Sequence, residues 1–131
     1  MDQNVAPDGA PPRDPQIIKH YHAHIYYDPA TTRDKAARLR QCIEVRFPDA
    51  VVGRWHDELV GPHLRSMYQV AFATELLPEI LPWLMLNRDG LSILVHPGTD
   101  NGYLDHTQHA AWLGTPQPLK LKAFKDAPKD A

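Results

Sequence analysis

The chain has 131 residues, of which 43% are hydrophobic, with 14 Lys and Arg against 16 Asp and Glu. This length and composition predict one globular domain that buries a core without disulfides. The formal net charge of −2 gives no electrostatic reason to bind a phosphate backbone or an anionic membrane, so neither nucleic acid nor membrane is expected as a partner.

Three segments are predicted from the distribution of proline and apolar residues. Residues 1–15 hold four prolines and are predicted as a flexible leader, 16–121 as the single domain, and 122–131 as a flexible tail. The leader lacks the apolar stretch of a signal peptide, and no window reaches the ~18 apolar residues of a membrane span, so the expected compartment is the cytoplasm. The single cysteine, Cys42, excludes an intramolecular disulfide and is expected to be a small buried side chain.

Hydrophobic periodicity predicts six elements in chain order. Strands are expected over residues 17–28, 51–56, 67–74 and 91–96. Thr31 and Asp34 fit a capping box that opens a helix to Phe47, and a second helix is expected from near Pro78 to Asn87. The order βαββαβ predicts an α+β, ferredoxin-like fold, with a four-stranded antiparallel sheet of order 4-1-3-2 and two helices on one face. The other face is expected to be free.

The eight histidines are the most informative feature of the sequence. Alternation along the first strand places His20, His22 and His24 opposite Ala23 and Ile25, because successive strand residues point to opposite faces. The same parity sends further polar residues to the free face: Arg54, His56, His63, Arg65, Gln69 and His96. A solvated polar face is the alternative explanation, although such faces usually carry other residue types.

The expected register divides these histidines into two groups. Strands one and four are neighbours, so His22 and His24 should lie near His96 and form a three-imidazole metal site. His56 and His63 flank the turn between strands two and three, at the opposite end of the sheet, and suit substrate contacts or acid–base roles. Asp105 can join the site only if the segment after strand four folds back; the sequence alone leaves a metal-free acid–base pocket equally open.

Short motifs in this order resemble the small bacterial and fungal DOPA 4,5-dioxygenase family over residues 17–121: HAHIYY at 22–27, RWH at 54–56, GPH at 61–63, WLMLNR at 83–88, LVHP at 94–97, and DHT followed by AWLG at 105–114. The resemblance implies a ferredoxin-like fold, a homodimer, and extradiol ring opening of a catechol by O2 with non-haem Fe(II). The histidines that match these motifs are His22, His24, His56, His63, His96 and His106.

The roles expected for an extradiol enzyme follow from the resemblance and the predicted sheet together. His22, His24 and His96 are expected as metal ligands; His63, His56 and His106 as catalytic groups; and Arg54, Arg65 and Gln69 as substrate contacts, an arginine pairing with a substrate carboxylate. The segment with His106 and His109 is either a lid over the free face, anchored by Trp112 and Leu113, or a surface loop. Two other functions remain open: a non-catalytic ligand-binding or metal-sensing module, and a cofactor-free monooxygenase or isomerase.

Overall fold

The computed structural model describes residues 9–130, so the first eight residues of the predicted leader and Ala131 lie outside the described part of the chain. The strands are β1 (Tyr21–Tyr27), β2 (Val51–Val52), β3 (Ser66–Phe72), β4 (Ile93–Pro97) and β5 (Ala111–Leu113). The α-helices are α1 (Arg33–Arg46), α2 (Leu77–Asn87) and α3 (Gly102–His106). Single 3₁₀ turns occur at Pro15–Ile17, Thr74–Leu76 and Leu121–Ala123.

The strands form one open antiparallel sheet in the order β2-β3-β1-β4-β5. The prediction of an α+β protein is confirmed, whereas the prediction of a four-stranded sheet is wrong, because β5 pairs with the outer edge of β4. β5 has three residues and α3 has five. Both are too short to produce a readable hydrophobic period, so the sequence analysis missed them.

The core lies between one face of the sheet and the two long helices. Ala23, Ile25 and Val70 are fully buried there against Ile43 of α1 and Ile80 of α2. Each helix presents one apolar stripe, as the spacing predicts. Cys42 is exposed, contrary to expectation, because it lies beside the stripe formed by Ala36, Leu39 and Ile43.

The two long helices start within one residue of the predicted positions. Thr32, not Thr31, is the N-cap of α1, and it makes no capping-box hydrogen bond. Its Oγ1 instead accepts from the backbone N–H of Asp28 at 2.7 Å, which closes the turn after β1. α2 begins at Leu77, so Pro78 occupies the first turn, where its missing N–H costs nothing, and Pro82 lies inside the helix.

A one-residue bulge changes the parity of the second strand. Val52 pairs with the inward-facing Val70 and packs on the core. The predicted parity, with Arg54 and His56 outward, requires Val51 to point inward, and this is wrong because Val51 is exposed. His56 then pairs with Met67 across the bulge, which places one extra residue on this strand. The bulge returns His56 to the face where the sequence analysis placed it, and leaves Trp55 packed against the core.

The face opposite the helices is covered, not free. Tyr26, Met67 and Leu94 form a second buried cluster there, and Ala110, Trp112 and Leu119 pack on it. Trp112 is directly opposite Leu94 in the β4–β5 pairing, while Leu113 packs on the main core. The segment after β4 therefore folds back across this face. In the described chain, no helix combines the length and apolar character needed to cross a bilayer.

Candidate metal centre

Five histidines from four parts of the chain converge on the covered face; we call them the histidine group. They are His22 and His24 of β1, His63 of the loop before β3, His96 of β4 and His106 of α3. Two sets of three place one ring nitrogen per residue within 4.8 Å of each other: His22, His24 and His96, and His24, His63 and His106. His24 belongs to both sets.

The β1–β4 pairing assembles the first set, the three residues predicted as metal ligands. His22 lies directly opposite His96 in the register, and His24 follows two residues later on the same face of β1. The Nε2 atoms of His24 and His96 are 3.0 Å apart in the buried interior. The predicted proximity of these three imidazoles is therefore present in the structure.

His63 lies in the same group, not at the opposite end of the sheet as expected. Its ring centroid is 4.3 Å from that of His24, and its Nδ1 is 2.6 Å from the Tyr26 hydroxyl. The loop that carries it is fastened to the C-terminal segment by a bridge between His63 and Leu119. The sequence predicts His63 beside a turn between two strands, whereas tertiary contacts fold it inward.

His56, the other histidine predicted at that end, is outside both ligand sets. It is half-buried and pairs with Met67. Burial is the main cause of the lowered His63 pKa, and His106 and His56 add to it. His56 therefore lies beside the histidine group without joining it.

Backbone carbonyls fix the tautomers of two members of the group. His96 Nδ1 is 3.0 Å from the Pro97 carbonyl oxygen, and His106 Nδ1 is 2.7 Å from that of Gly102. A carbonyl only accepts, so each Nδ1 carries the proton and donates it. The lone pair of each neutral ring is then on Nε2, where it can accept a hydrogen bond or bind a metal, which is the arrangement that metal-binding histidines generally show.

Burial keeps the group uncharged near neutral pH. Desolvation, helped by the neighbouring imidazoles, lowers the pKa of His22 and His63 to about 4 and that of His96 to about 3. Desolvation also lowers the pKa of His24 and His106. An imidazole binds a metal ion only when unprotonated, so protons compete little for these rings at pH 7.

The donor set fits a metal ion in two respects. Two nitrogens bound to one ion at the usual ~2.0–2.1 Å lie about 2.9–3.4 Å apart, and the 3.0 Å between His24 and His96 Nε2 falls in this range. In addition, His24 Nδ1 is a buried side-chain atom without a hydrogen-bond partner in the described chain. An unsatisfied buried nitrogen is costly, and an ion bound at Nδ1 instead of Nε2 would relieve this cost.

Asp105 does not supply a carboxylate ligand, although its segment folds back. Its side chain is buried, and it accepts hydrogen bonds from the Thr99 backbone N–H at 2.8 Å and the Thr99 hydroxyl at 2.6 Å. Its Oδ1 also lies 3.0 Å from His109 Nδ1. These contacts tie the end of β4 to α3, so Asp105 supports the elements that carry His96 and His106.

The three residues predicted as substrate contacts are dispersed. Gln69 lies opposite His24 in the β1–β3 register and is half-buried. Arg65 is exposed and lines an open cavity of about 430 Å³. Tyr26 also lines this cavity, but none of the five histidines does. Arg54 is exposed. The structure therefore brings Gln69, but neither arginine, next to the predicted metal ligands.

Three aromatic residues of the site were missed. Strand parity places Tyr26 on the face of His24, although no role was predicted for it, and its ring stacks on Trp112 at 5.8 Å. Trp112 was considered only as an anchor. Phe124, whose ring centroid is 4.6 Å from that of His106, lies in the segment predicted as a flexible tail, and no local pattern marks it.

The fold and the site together define a class: an α+β protein with a candidate metal centre built from histidines alone on the covered face of an antiparallel sheet. The profile of the "Dopa 4,5-dioxygenase family" matches residues 21–123, and the chain belongs to this family.

Individual relatives agree with this membership. The chain is 38% identical over 124 residues to an "Uncharacterized 21.2 kDa protein" of Botryotinia fuckeliana, covering 87% of this chain and 68% of that protein. It is 34% identical over 113 residues to "DOPA 4,5-dioxygenase" of Amanita muscaria, covering 79% of this chain and 49% of the relative. A crystal structure of a "putative dioxygenase" of Nostoc punctiforme superposes with a TM-score of 0.82 and 45% identity, covering 86% of this chain and 96% of the other. A dioxygenase-like function follows from the family.

Proposed function

We propose that this protein is an extradiol dioxygenase that opens the ring of a catechol with O2 at an Fe(II) ion held by the histidine group. The observation that carries the proposal is the convergence of five uncharged imidazoles. In two of them, a backbone carbonyl accepts from Nδ1 and so leaves the lone pair on Nε2. The family and the Amanita muscaria relative's name support the chemistry. A cytoplasmic location and a homodimer remain expectations of the proposal.

His22, His24 and His96 would hold the ion. A bound Fe(II) supplies Lewis acidity and open coordination positions for the catechol oxygens and O2. His24 is central, since it belongs to both sets of three nitrogens. The apolar cover from Tyr26, Met67, Leu94 and Trp112 excludes water from this side of the sheet and strengthens polar interactions within the site.

His63 is the residue that would take the catechol proton. Its pKa of about 4 leaves the ring unprotonated at neutral pH and able to accept. The Tyr26 hydroxyl, 2.6 Å from His63 Nδ1, orients the imidazole, and burial raises the pKa of Tyr26, so the phenol stays neutral. His106 faces His24 and His96 across the group, and its unprotonated Nε2 would accept the second catechol proton. His106 and His56 add to the lowering of the His63 pKa by burial.

Gln69 would contact the substrate beside His24. Arg65 would meet a substrate carboxylate at the cavity lined by Tyr26, Ser66 and Gln117, and Arg54 is the alternative cation on the surface. A guanidinium pairs well with a carboxylate, which an amino-acid catechol such as DOPA carries. A catechol without a carboxylate would not depend on these arginines.

The test is O2 uptake by protein loaded anaerobically with Fe(II), across a panel of catechols that includes DOPA, with spectra recorded for a coloured ring-opened product. We expect uptake and a new visible band that are absent from metal-free protein and from His24→Ala. His20→Ala is the matched control, because His20 lies beside His22 but outside both ligand sets.

Other outcomes separate the alternative functions. Stoichiometric iron binding without O2 uptake would contradict the dioxygenase and favour a metal-sensing module. Turnover that survives chelation would favour a cofactor-free oxygenase or isomerase in which the histidines act as bases.

A further inference from the structure

A second cavity lies away from the histidine group, between the N-terminal segment and the end of β4. It has a volume of about 330 Å³ and includes Ile17, Ile18, Tyr21 and Pro97 among its apolar lining residues. Tyr21 and Pro97 pair directly across β1 and β4, and Tyr21 points to the core side, where it stacks on Phe72. Tyr21 and Pro97 therefore lie on the sheet face opposite to the imidazoles of His22 and His96.

At the polar end of this cavity, Arg13, His109 and Asp105 are joined by hydrogen bonds. Arg13 and His109 both line it, and Arg13 Nη1 donates to His109 Nε2 at 3.3 Å. His109 Nδ1 therefore carries the ring proton and donates to Asp105, whose side chain is 3% exposed. The buried carboxylate thus fixes the orientation of a histidine that the proposed reaction does not use.

The Arg13 guanidinium has unused donors at this end. No ion pair among residues 9–130 includes Arg13. Its hydrogen bond to His109 uses one of the five guanidinium N–H donors. Asp14 also lines the cavity, but its Oδ1 accepts from the Gln16 backbone N–H as the cap of the 3₁₀ turn. Ile17 also lines the cavity, and 42% of its surface is accessible to solvent.

From this geometry we infer a binding site for a small monocarboxylate with a single aromatic ring or a short alkyl chain. The carboxylate accepts from the Arg13 guanidinium beside His109, and the apolar part lies against Ile17, Ile18 and Tyr21. The cavity volume is at the lower end of the ~300–1,000 Å³ found for small-molecule sites, which sets the size of the ligand. The site is distinct from the proposed metal centre and does not require it.

The probe is benzoate, titrated into the ¹⁵N-labelled protein as isolated and followed by amide chemical shifts. We expect saturable shifts at Tyr21, Thr99 and His109. Arg13→Gln should weaken binding by about tenfold or more, because a charge-assisted hydrogen bond contributes ~1.5–3 kcal/mol. Arg38→Gln, a surface change on α1, should leave the affinity unchanged. Benzamide, which has the same ring without the charge, should bind about tenfold more weakly than benzoate.

Three results would overturn the inference: no saturable shift, equal affinity in Arg13→Gln, or shifts confined to His24, His63 and their neighbours. The last result would indicate benzoate bound at the metal centre instead. His22→Ala should retain the benzoate site, so failure of the proposed dioxygenase and failure of this inference are separate observations.

Discussion

His24 and His96 hold their Nε2 atoms 3.0 Å apart across the β1–β4 pairing, inside a site where both side chains are almost inaccessible to solvent. Two imidazoles can hydrogen-bond at this distance when one donates. They can equally serve as neighbouring ligands of one ion. His24 Nδ1 has no partner in the described chain in either arrangement.

His24→Ala should abolish high-affinity metal binding, because it removes the residue common to both sets of three nitrogens. We expect an affinity loss of at least about 100-fold, beyond the 10–100-fold typical of changes around the ligands. Titration with Co²⁺, monitored by its visible spectrum, measures the loss. His20→Ala should bind as the wild type does, and a His24→Ala protein that is folded by circular dichroism yet binds equally well would contradict the proposed centre.

Asp105→Asn should destabilise the protein and weaken metal binding together. The substitution replaces one acceptor oxygen by an NH₂ group in a buried position that faces Thr99 and His109. We expect a loss of about 1–3 kcal/mol in unfolding free energy and about tenfold in metal affinity, since the Thr99 contacts hold the end of β4, which carries His96. Asp100→Asn is the control, because its contact with Lys19 is exposed and such pairs contribute little. Unchanged metal affinity in Asp105→Asn would rule out the supporting role.

The metal-free protein should lose stability as the pH falls from 6.5 towards 4. The pKa of His22 and His63 is lowered from 6.5 to about 4 in the folded state by burial. Between these values the unfolded chain binds more protons than the folded chain, so the free energy of unfolding rises with pH and falls on acidification. Thermal unfolding in the presence of a chelator should show Tm decreasing by about 4 °C or more over this interval.

The contribution of one histidine to this acid sensitivity can be isolated with His63→Gln. His63 is unprotonated in the folded chain and protonated in the unfolded chain over this pH interval. Removing it should therefore reduce the slope of unfolding free energy against pH by up to about 1.4 kcal/mol per pH unit. An identical slope in the variant and the wild type would show that His63 is already protonated in the folded state, contrary to its lowered pKa.

Tyr26→Phe should impair turnover far more than it impairs metal binding. The Tyr26 hydroxyl contacts His63 Nδ1 at 2.6 Å, and its loss removes one buried hydrogen bond worth about 1 kcal/mol. His63 would then be free to rotate, so we expect a lower ring-opening rate, a shifted pH–rate profile and a metal affinity within about threefold of wild type. Tyr103→Phe is the matched control, since it removes a hydroxyl from a tyrosine whose ring contacts Phe124. Equal pH–rate profiles for Tyr26→Phe and wild type would show that the hydroxyl does not orient the base.

Local periodicity was enough to identify the strands and helices that build the core. Alternation along β1 correctly separated Ala23 and Ile25 from His22 and His24, since only one parity buries the apolar set. The pairing of β1 with β4 then followed from the order of elements and placed His96 beside His22. The part of the site that lies on regular strands was therefore readable from sequence.

Only the tertiary structure decided which other residues complete the site. His63 joins His24 because its loop is tied to Leu119, and Phe124 reaches His106 from a segment without hydrophobic periodicity. The bulge before His56 reversed the orientation of Val51 in the same way, through one extra residue that no local pattern marks. Sequence alone determined the sheet face on which the imidazoles gather, because side-chain direction in a strand is a local property. Loops and short elements are positioned by contacts distant in sequence, so the closure of the site depended on the fold.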